Sequence, residues 1–391
     1  MNILIQMGDS YPDESPCAKR MRPFYDSFIA HGHKVTILAP LTNNSILETP
    51  DVKYCSTIKL RKKTPFWRLL NSLSFAWSSF WKSLTLGKVD VVITTAPPPF
   101  MNISGWMISI LKRAKLVYDV RDIWPDVALE MGSFAKDSFY CKVFASIRDF
   151  MLKHSDLTTA VSPGKVKKLQ EYCPSAKVIE ICNGLDEEFL KNTEDTDVIS
   201  KYELNKGFIC SYIGNLGLAQ GLTQLLDIAF KAKEEKLNVR FLLFGSGAEE
   251  DLLKQRVAEQ QLSNVLFPGR IPNKQIYTIL RYSDISFISL VNENLKDSVP
   301  TKLYEALGVG SPVLLAACGD SADILNDCKL GISVKPNDSD ALWSAFYSMY
   351  QTIDNIKTNR ENARNIILQK HSRQKAAEQM EKNLVKLMEE K

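Results

Sequence analysis

Ile285-Ser286-Phe287-Ile288-Ser289 is followed by Asp297-Ser298-Val299-Pro300-Thr301-Lys302-Leu303-Tyr304-Glu305, then Ala306-Leu307-Gly308-Val309-Gly310-Ser311-Pro312, then Val313-Leu314-Leu315-Ala316. Two short, largely apolar runs flank one helical stretch, the pattern of a strand, a covering helix and a second, parallel strand. Strands apolar at successive positions are buried on both faces, which places them inside a parallel sheet. Pro300 pre-sets φ for the first turn of the helix. Gly308 and Gly310 permit a tight exit before the next strand.

The same alternation extends outward in both directions. Upstream, the strand candidates are Asn2–Met7, Val35–Ala39, Val89–Thr95, Leu116–Val120, Leu157–Val161 and Val178–Ile181. The later ones are Phe208–Ile213, Arg240–Phe244, Val265–Phe267, Ile285–Ser289, Val313–Ala316 and Gly331–Val334. The series occurs twice, which predicts an α/β protein of two Rossmann-like, doubly wound domains facing a cleft. The polar stretch Asn192-Thr-Glu-Asp-Thr-Asp197, after the turn Asn183-Gly184, reads as a linker. The expected organisation is a first domain over 1–190, a second over 191–370, and 371–391 as a C-terminal helix packing back on the first. Residues 355–391 contain few breakers and read as helix to the end.

Composition narrows the chemistry. Hydrophobic residues make up 45% and charged residues 24% of the 391, ordinary for a globular chain with two cores. The net charge of +4 is too small to argue for nucleic acid, but it is uneven: residues 1–190 hold 24 Lys+Arg against 19 Asp+Glu. The eight cysteines form no Cys-x-x-Cys pair and read as buried reduced thiols. The first residues lack the basic start and cleavage site of a signal peptide, and no stretch reaches the ~18 uncharged apolar residues of a membrane span. A cytoplasmic location follows as the expectation. No metal site is expected: His31-Gly32-His33 reads as a helix end, and Asp338-Ser339-Asp340 as a helix cap.

In such sheets ligands meet the carboxyl ends of the strands. The first such loop, Gly8-Asp9-Ser10-Tyr11-Pro12-Asp13-Glu14-Ser15-Pro16, opens a helix and can present backbone N–H groups to an anion. It lacks the three-glycine dinucleotide fingerprint, which disfavours NAD and FAD. The helix after Pro300 offers free N–H groups and a positive dipole end suited to a diphosphate. Lys302 adds a cation there. Glu305, one turn on, is placed to accept hydrogen bonds from a ribose diol.

The stretch Asp297–Glu305 resembles the nucleotide-sugar motif of glycosyltransferase family 4, retaining enzymes of the GT-B fold. The family shows Glu-x7-Glu; here Glu305 is the second acid and Asp297, a shortened side chain, stands in the place of the first. His154-Ser-Asp-Leu-Thr-Thr-Ala-Val-Ser162, Ile181-Cys-Asn-Gly-Leu-Asp186, Phe244-Gly-Ser-Gly247 and Phe267-Pro-Gly-Arg-Ile271 are similar to later segments of the family. The resemblance implies a metal-independent, retaining transferase using no cofactor beyond its nucleotide-sugar substrate, UDP-linked. It implies Ser15, Asn215, Gly217, Arg270, Ile271, Thr301, Lys302 and Glu305 as donor-binding residues, and Asp297 on the catalytic side; Arg121 and Asp122, just after a strand end, either face the cleft as catalytic-side groups or form a structural Arg–Asp pair.

Two segments depart from the family. The loop Gly214-Asn-Leu-Gly-Leu-Ala-Gln-Gly221 lacks the Arg and Lys that usually meet the donor phosphates, so Lys302 and Arg270 are left for that task. Tyr118-Asp-Val-Arg-Asp-Ile-Trp-Pro125 replaces the family's histidine segment. Both variants are similar to WbuB-like O-antigen and capsule aminosugar transferases. That likeness implies transfer of an N-acetylated aminosugar or a deoxysugar to a lipid-linked saccharide at the inner leaflet. Two rival readings are a nucleotide-sugar 2-epimerase of the same fold, which needs no acceptor, and a non-catalytic transferase-like scaffold.

Lys59–Lys82 holds Lys59, Arg61, Lys62, Lys63, Arg68 and Lys82 with no acid, and three of the six tryptophans. Leu70, Leu73, Trp77 and Trp81 keep helical spacing. Two readings stand: a helix lying on anionic lipid, and a core helix preceded by a solvated basic turn.

Overall fold

The computed structural model describes the chain except for residues 10, 12–14, 42–50, 61–64, 132–134, 136 and 391. It divides into two compact units, one formed by Met1–Asn183 with Arg373–Lys391 and the other by Gly184–Ser372.

Unit 1 carries β1 (Asn2–Gln6), β2 (Lys34–Pro40), β3 (Val52–Cys55), β4 (Val91–Ala96), β5 (Lys115–Val120), β6 (Leu157–Ala160) and β7 (Val178–Glu180). They form one sheet in the order β3-β2-β1-β4-β5-β6-β7, and all the pairings are parallel. Unit 2 carries β8 (Phe208–Ile213), β9 (Val239–Phe244), β10 (Val265–Gly269), β11 (Ile285–Ser289), β12 (Val313–Ala316) and β13 (Gly331–Val334). Their order, β10-β9-β8-β11-β12-β13, is again parallel throughout. The order reverses between β1 and β4 in one unit and between β8 and β11 in the other. At such a reversal the loops on either side lead to opposite faces of the sheet and leave a crevice.

β3 lacks an apolar run; only Val52 and Cys55 are buried, as befits an edge strand. The division between units falls between Asn183 and Gly184, ahead of the expected linker. The stretch 192–197 lies inside unit 2, where Asp195 caps the helix Thr196–Tyr202 by accepting from the N–H groups of Asp197 and Val198. Its polarity is that of a capping turn. The tail is not one helix either: it breaks into Ser339–Lys357, Arg360–Lys370 and Arg373–Glu389. The last of these belongs to unit 1. Its Ala376, Ala377, Met380, Leu384 and Leu387 join Ile3, Ile5, Phe24 and Phe28 in one core.

The helix Pro65–Leu84 is turned inside out. Ser72, Phe75, Ser79 and Ser83 form its buried stripe, while Phe66, Leu73, Trp77, Trp81 and Leu84 are exposed, Trp77 at 67%. A polar network holds the serine face: Gln6 Nε2 donates to Ser79 Oγ and to Ser104 Oγ, each at 2.7 Å. The aromatic stripe is therefore not core. Among the described residues no helix is long and apolar enough to cross a membrane.

Candidate functional site

In unit 2 the loops leaving β8, β9 and β10 are laced together by backbone hydrogen bonds. Gly214 N donates to Phe244 O (3.0 Å), Leu216 N to Ser246 O (3.0 Å) and Gly245 N to Gly269 O (2.9 Å). This closeness requires glycine: Gly245 has φ +139°, and a Cβ there would collide with the carbonyl oxygen of Gly214. Asn215 and Gly217 lie on this laced loop, with the Asn215 amide folded against Gly217. Arg270, exposed, donates from Nε to Ser246 Oγ. Ile271 packs beside Ile213, Phe244 and Ile279.

The helix Thr301–Val309 starts on the far side of the β8/β11 reversal. Pro300 is its N-cap, just outside the first turn, and Gly310 ends it in the left-handed region at φ +83°. Gly308 lies inside the helix, where it meets the Leu185 side chain; its role is close packing and not the exit. Thr301 is exposed at the first helical position, and Asp297 is buried before the helix. Lys302 and Glu305 line a small cavity together with Ser211, Ile213, Ser286 and Ile288.

The lysine is the central group. Lys302 Nζ donates to Gln220 Oε1 at 2.6 Å and to Tyr212 Oη at 2.9 Å, and it sits 4.2 Å from the centre of the Tyr212 ring. Burial pushes its pKa down to about 7, with Glu305 pulling the other way. Neither Tyr212 nor Gln220 was singled out from the sequence. Gln220 sits in the very loop that lacks the family's cations, and that was the available signal.

In unit 1 the loops after β1 and β4 meet at the other reversal, where a Cβ on Gly8 would strike the Pro98 ring. Ser15 caps the helix Pro16–Ala30, its Oγ accepting from Ala18 N at 3.2 Å. Arg121 follows β5 and donates from Nε to Thr95 Oγ1 (3.1 Å) and from Nη2 to Pro97 O (2.8 Å). Burial opposes its charge, but Cys17, Asp122, Asp119 and Asp9 outweigh that and hold its pKa above the ordinary value. Asp122, partly buried, follows it.

Among the described residues of this unit the most deeply buried ion pair is a different one. Arg20 Nη2 lies 2.7 Å from Asp119 Oδ1, and Thr95 and Thr159 donate to the same carboxylate at 2.9 and 2.7 Å. Burial alone would raise the Asp119 pKa; the Arg20 guanidinium and these hydrogen bonds hold it below the usual carboxylate value. Arg20 Nη1 reaches on to Cys182 O (3.2 Å) and Asn183 Oδ1 (3.1 Å), the last residues before unit 2. Helix periodicity cannot show a partner 99 residues away.

Among the described residues no group of three or more His, Cys, Asp and Glu gathers as a metal site. His33 Nε2 meets Glu381 Oε1 at 3.1 Å, and His31 Nδ1 meets Ser27 O at 2.8 Å. Asp338 caps the helix Ser339–Lys357 by accepting from Ala341 N at 3.0 Å.

Two family models match the chain in succession: Glycosyltransferase Family 4 over residues 24–189, and Glycosyl transferases group 1 over residues 195–380. The chain is a glycosyltransferase. This transferase is 23% identical to a probable glycosyltransferase, WbjE, of Pseudomonas aeruginosa, over 79% of either chain. It is 25% identical to WcaI of Escherichia coli K12, a putative colanic acid biosynthesis glycosyl transferase, over 64% of this chain and 63% of that one. Its fold is shared with the sucrose-phosphate synthase of Thermosynechococcus elongatus (TM-score 0.82, 16% identity, 100% of both chains). HepE of Anabaena, solved with UDP and glucose, has a TM-score of 0.74 at 16% identity over 99% of this transferase and 100% of HepE. The fold is GT-B.

Proposed function

We propose that the transferase moves a sugar from a UDP-linked donor to a lipid-linked saccharide during surface-polysaccharide assembly, with retention of configuration. The observation that carries this reading is the pairing of Lys302 and Glu305 on one cavity at the strand-order reversal of unit 2. There the helix start offers N–H groups to a diphosphate, Lys302 a cation, and Glu305 a carboxylate for the ribose hydroxyls. Cleavage at the anomeric carbon leaves negative charge on the diphosphate, and groups fixed in advance stabilise it without reorganisation. Thr301, Asn215, Gly217, Arg270 and Ile271 complete the donor side within unit 2. Asp297 faces the transferred sugar, and Arg121 and Asp122 are the catalytic-side groups of unit 1. HepE, solved with UDP and glucose, and WcaI, a putative colanic acid biosynthesis transferase, support the donor and the pathway class.

The finer reading places the enzyme with the WbuB-like transferases of N-acetylated aminosugars or deoxysugars, working without a metal at the inner face of the cell membrane. Residues 52–118 hold eleven Lys and Arg against one acid, Asp90. That field, with the outward aromatic stripe of the helix Pro65–Leu84, suits an anionic lipid surface. Arg61, Lys62 and Lys63 lie outside the described residues.

The test is a panel of nucleotide sugars incubated with and without lipid-linked saccharides, in EDTA and in magnesium, with products read by mass spectrometry. Acceptor-dependent transfer that survives EDTA supports the reading. Acceptor-independent conversion of the sugar would make the protein an epimerase, and no turnover of any donor would make it a scaffold.

A further inference from the structure

The amine of Lys302 is held by two neutral oxygens, Tyr212 Oη and Gln220 Oε1. Tyr212 is fully buried and is itself fixed by donating to Asn215 O at 2.7 Å. Nζ would lie 3.3 Å from a Cβ built on Gly214, so the amine lies directly against the loop leaving β8. Enclosure between a phenol, an amide and backbone takes water from the amine and opposes its charge, against the pull of Glu305 and of the Tyr212 ring face. A charged ammonium there needs an anion to offset its loss of water.

The charged groups acting nearby are few. Glu305, on the same helix, acts on the lysine, and Glu249, from the turn after β9, acts on Tyr212, whose phenol is pushed up chiefly by burial. An anion arriving at the carboxyl ends of β8 and β11 changes that balance. A nucleoside diphosphate brings the negative charge that, among the described residues lining the cavity, only Glu305 supplies.

We propose that Tyr212 and Gln220 are positioning residues that keep the Lys302 amine parked and uncharged against the Gly214–Gly221 loop, and that the amine takes up a proton from solvent as it turns to the phosphates of the donor. The step is balanced: one proton enters from bulk water or buffer, the lysine gains one positive charge, and no covalent bond of the donor changes. The inference rests on the donor-site reading above and adds to it a proton and two residues. It also accounts for a loop with Gln220 and no cation: the loop holds the cation of another element instead of carrying its own.

Isothermal titration of UDP into the full chain at pH 8, in phosphate and in Tris, measures the proton directly, because the two buffers release different heats on giving one up. Wild type is expected to take up most of one proton per UDP at pH 8, since burial holds the resting amine well below the ordinary lysine value. UDP affinity is expected to fall by about tenfold per pH unit above 7. Lys302→Met should bind UDP more weakly with no uptake and no such slope, and a melting curve checks that it is folded. Gln220→Glu sets a carboxylate against the amine, so the lysine is charged at rest; its uptake at pH 8 should vanish while the protein stays folded. Tyr212→Phe should lower affinity and retain uptake. Wild-type binding with equal heats in both buffers, or uptake unchanged in Lys302→Met or in Gln220→Glu, overturns the inference and leaves the donor site standing. No binding of UDP, GDP or dTDP at any pH overturns the donor-site reading itself.

Discussion

The guanidinium of Arg20, on the first helix of the chain, closes on the carboxylate of Asp119 at the end of β5, with side-chain exposures of 3% and 0%. The pair joins the helix after β1 to the far half of the sheet, and through Asn183 it reaches the chain's exit from unit 1.

Removing one partner leaves the other buried and uncompensated, at a cost of about 3–5 kcal/mol. Arg20→Met and Asp119→Asn should each lower the unfolding free energy obtained from urea titration by that much, and an apolar double replacement should regain part of it. The pH dependence has a definite sign. Asp119 is held below its ordinary value, so its contribution is complete above the unfolded value of ~3.9 and is lost as pH falls through the lower, folded one. The gap between wild type and Asp119→Asn should therefore narrow in acid; a gap independent of pH would remove the ion pair from the explanation.

Glu305→Ala should leave the melting temperature nearly unchanged, because Glu305 is only partly buried. Donor affinity should fall by roughly 1.5–3 kcal/mol, the value of hydrogen bonds to a charged acceptor. Titration with UDP checks this, and unchanged affinity would dismiss Glu305 from the ribose.

Gly245→Ala tests the laced loops of unit 2. The left-handed backbone costs about 1–3 kcal/mol on its own, and the new methyl group meets the Gly214 carbonyl. A drop in melting temperature accompanied by weaker UDP binding is expected. A stability loss with unaltered binding would show that the loop geometry is not what the nucleotide reads.

Trp77→Ser with Trp81→Ser should leave stability within about 0.5 kcal/mol, since both rings face outward. Sedimentation with anionic liposomes should nevertheless weaken. Replacing Arg61, Lys62 and Lys63 by Ser should weaken it by ~3 kcal/mol at most, and less at high salt. Equal pelleting of wild type and both variants would exclude a lipid role for this helix.

The strands of unit 2 were plain in the sequence because a parallel strand covered on both faces is mostly apolar along its length, and Phe208–Ile213 and Ile285–Ser289 interrupt their apolar residues only with small serines and a cysteine. β3 was not, since this edge strand buries only Val52 and Cys55 of its four residues and shows no apolar run. The breaks after Lys357 and Lys370 were missed because neither is marked by Gly or Pro. At the site, Lys302 and Glu305 could be named from a helix start and a one-turn spacing. Tyr212 and Gln220 could not, because the lysine meets them across 90 and 82 residues of chain. The orientation of the helix Pro65–Leu84 was open for a related reason: its apolar and serine stripes are both periodic, and only the polar network around Gln6 decides which faces inward.

Unit 1 receives its last helix, Arg373–Glu389, only after the whole of unit 2 has been traversed. On a ribosome, where a chain emerges from its N-terminus, the first sheet is made first and finished last. Met380, Leu384 and Leu387 reach the core of Ile3 and Phe28 when every residue of unit 2 is already outside the exit tunnel. A stop codon just ahead of Arg373 therefore damages the beginning of the protein, leaving the residues of unit 2 complete and unit 1 with an open seam of apolar side chains.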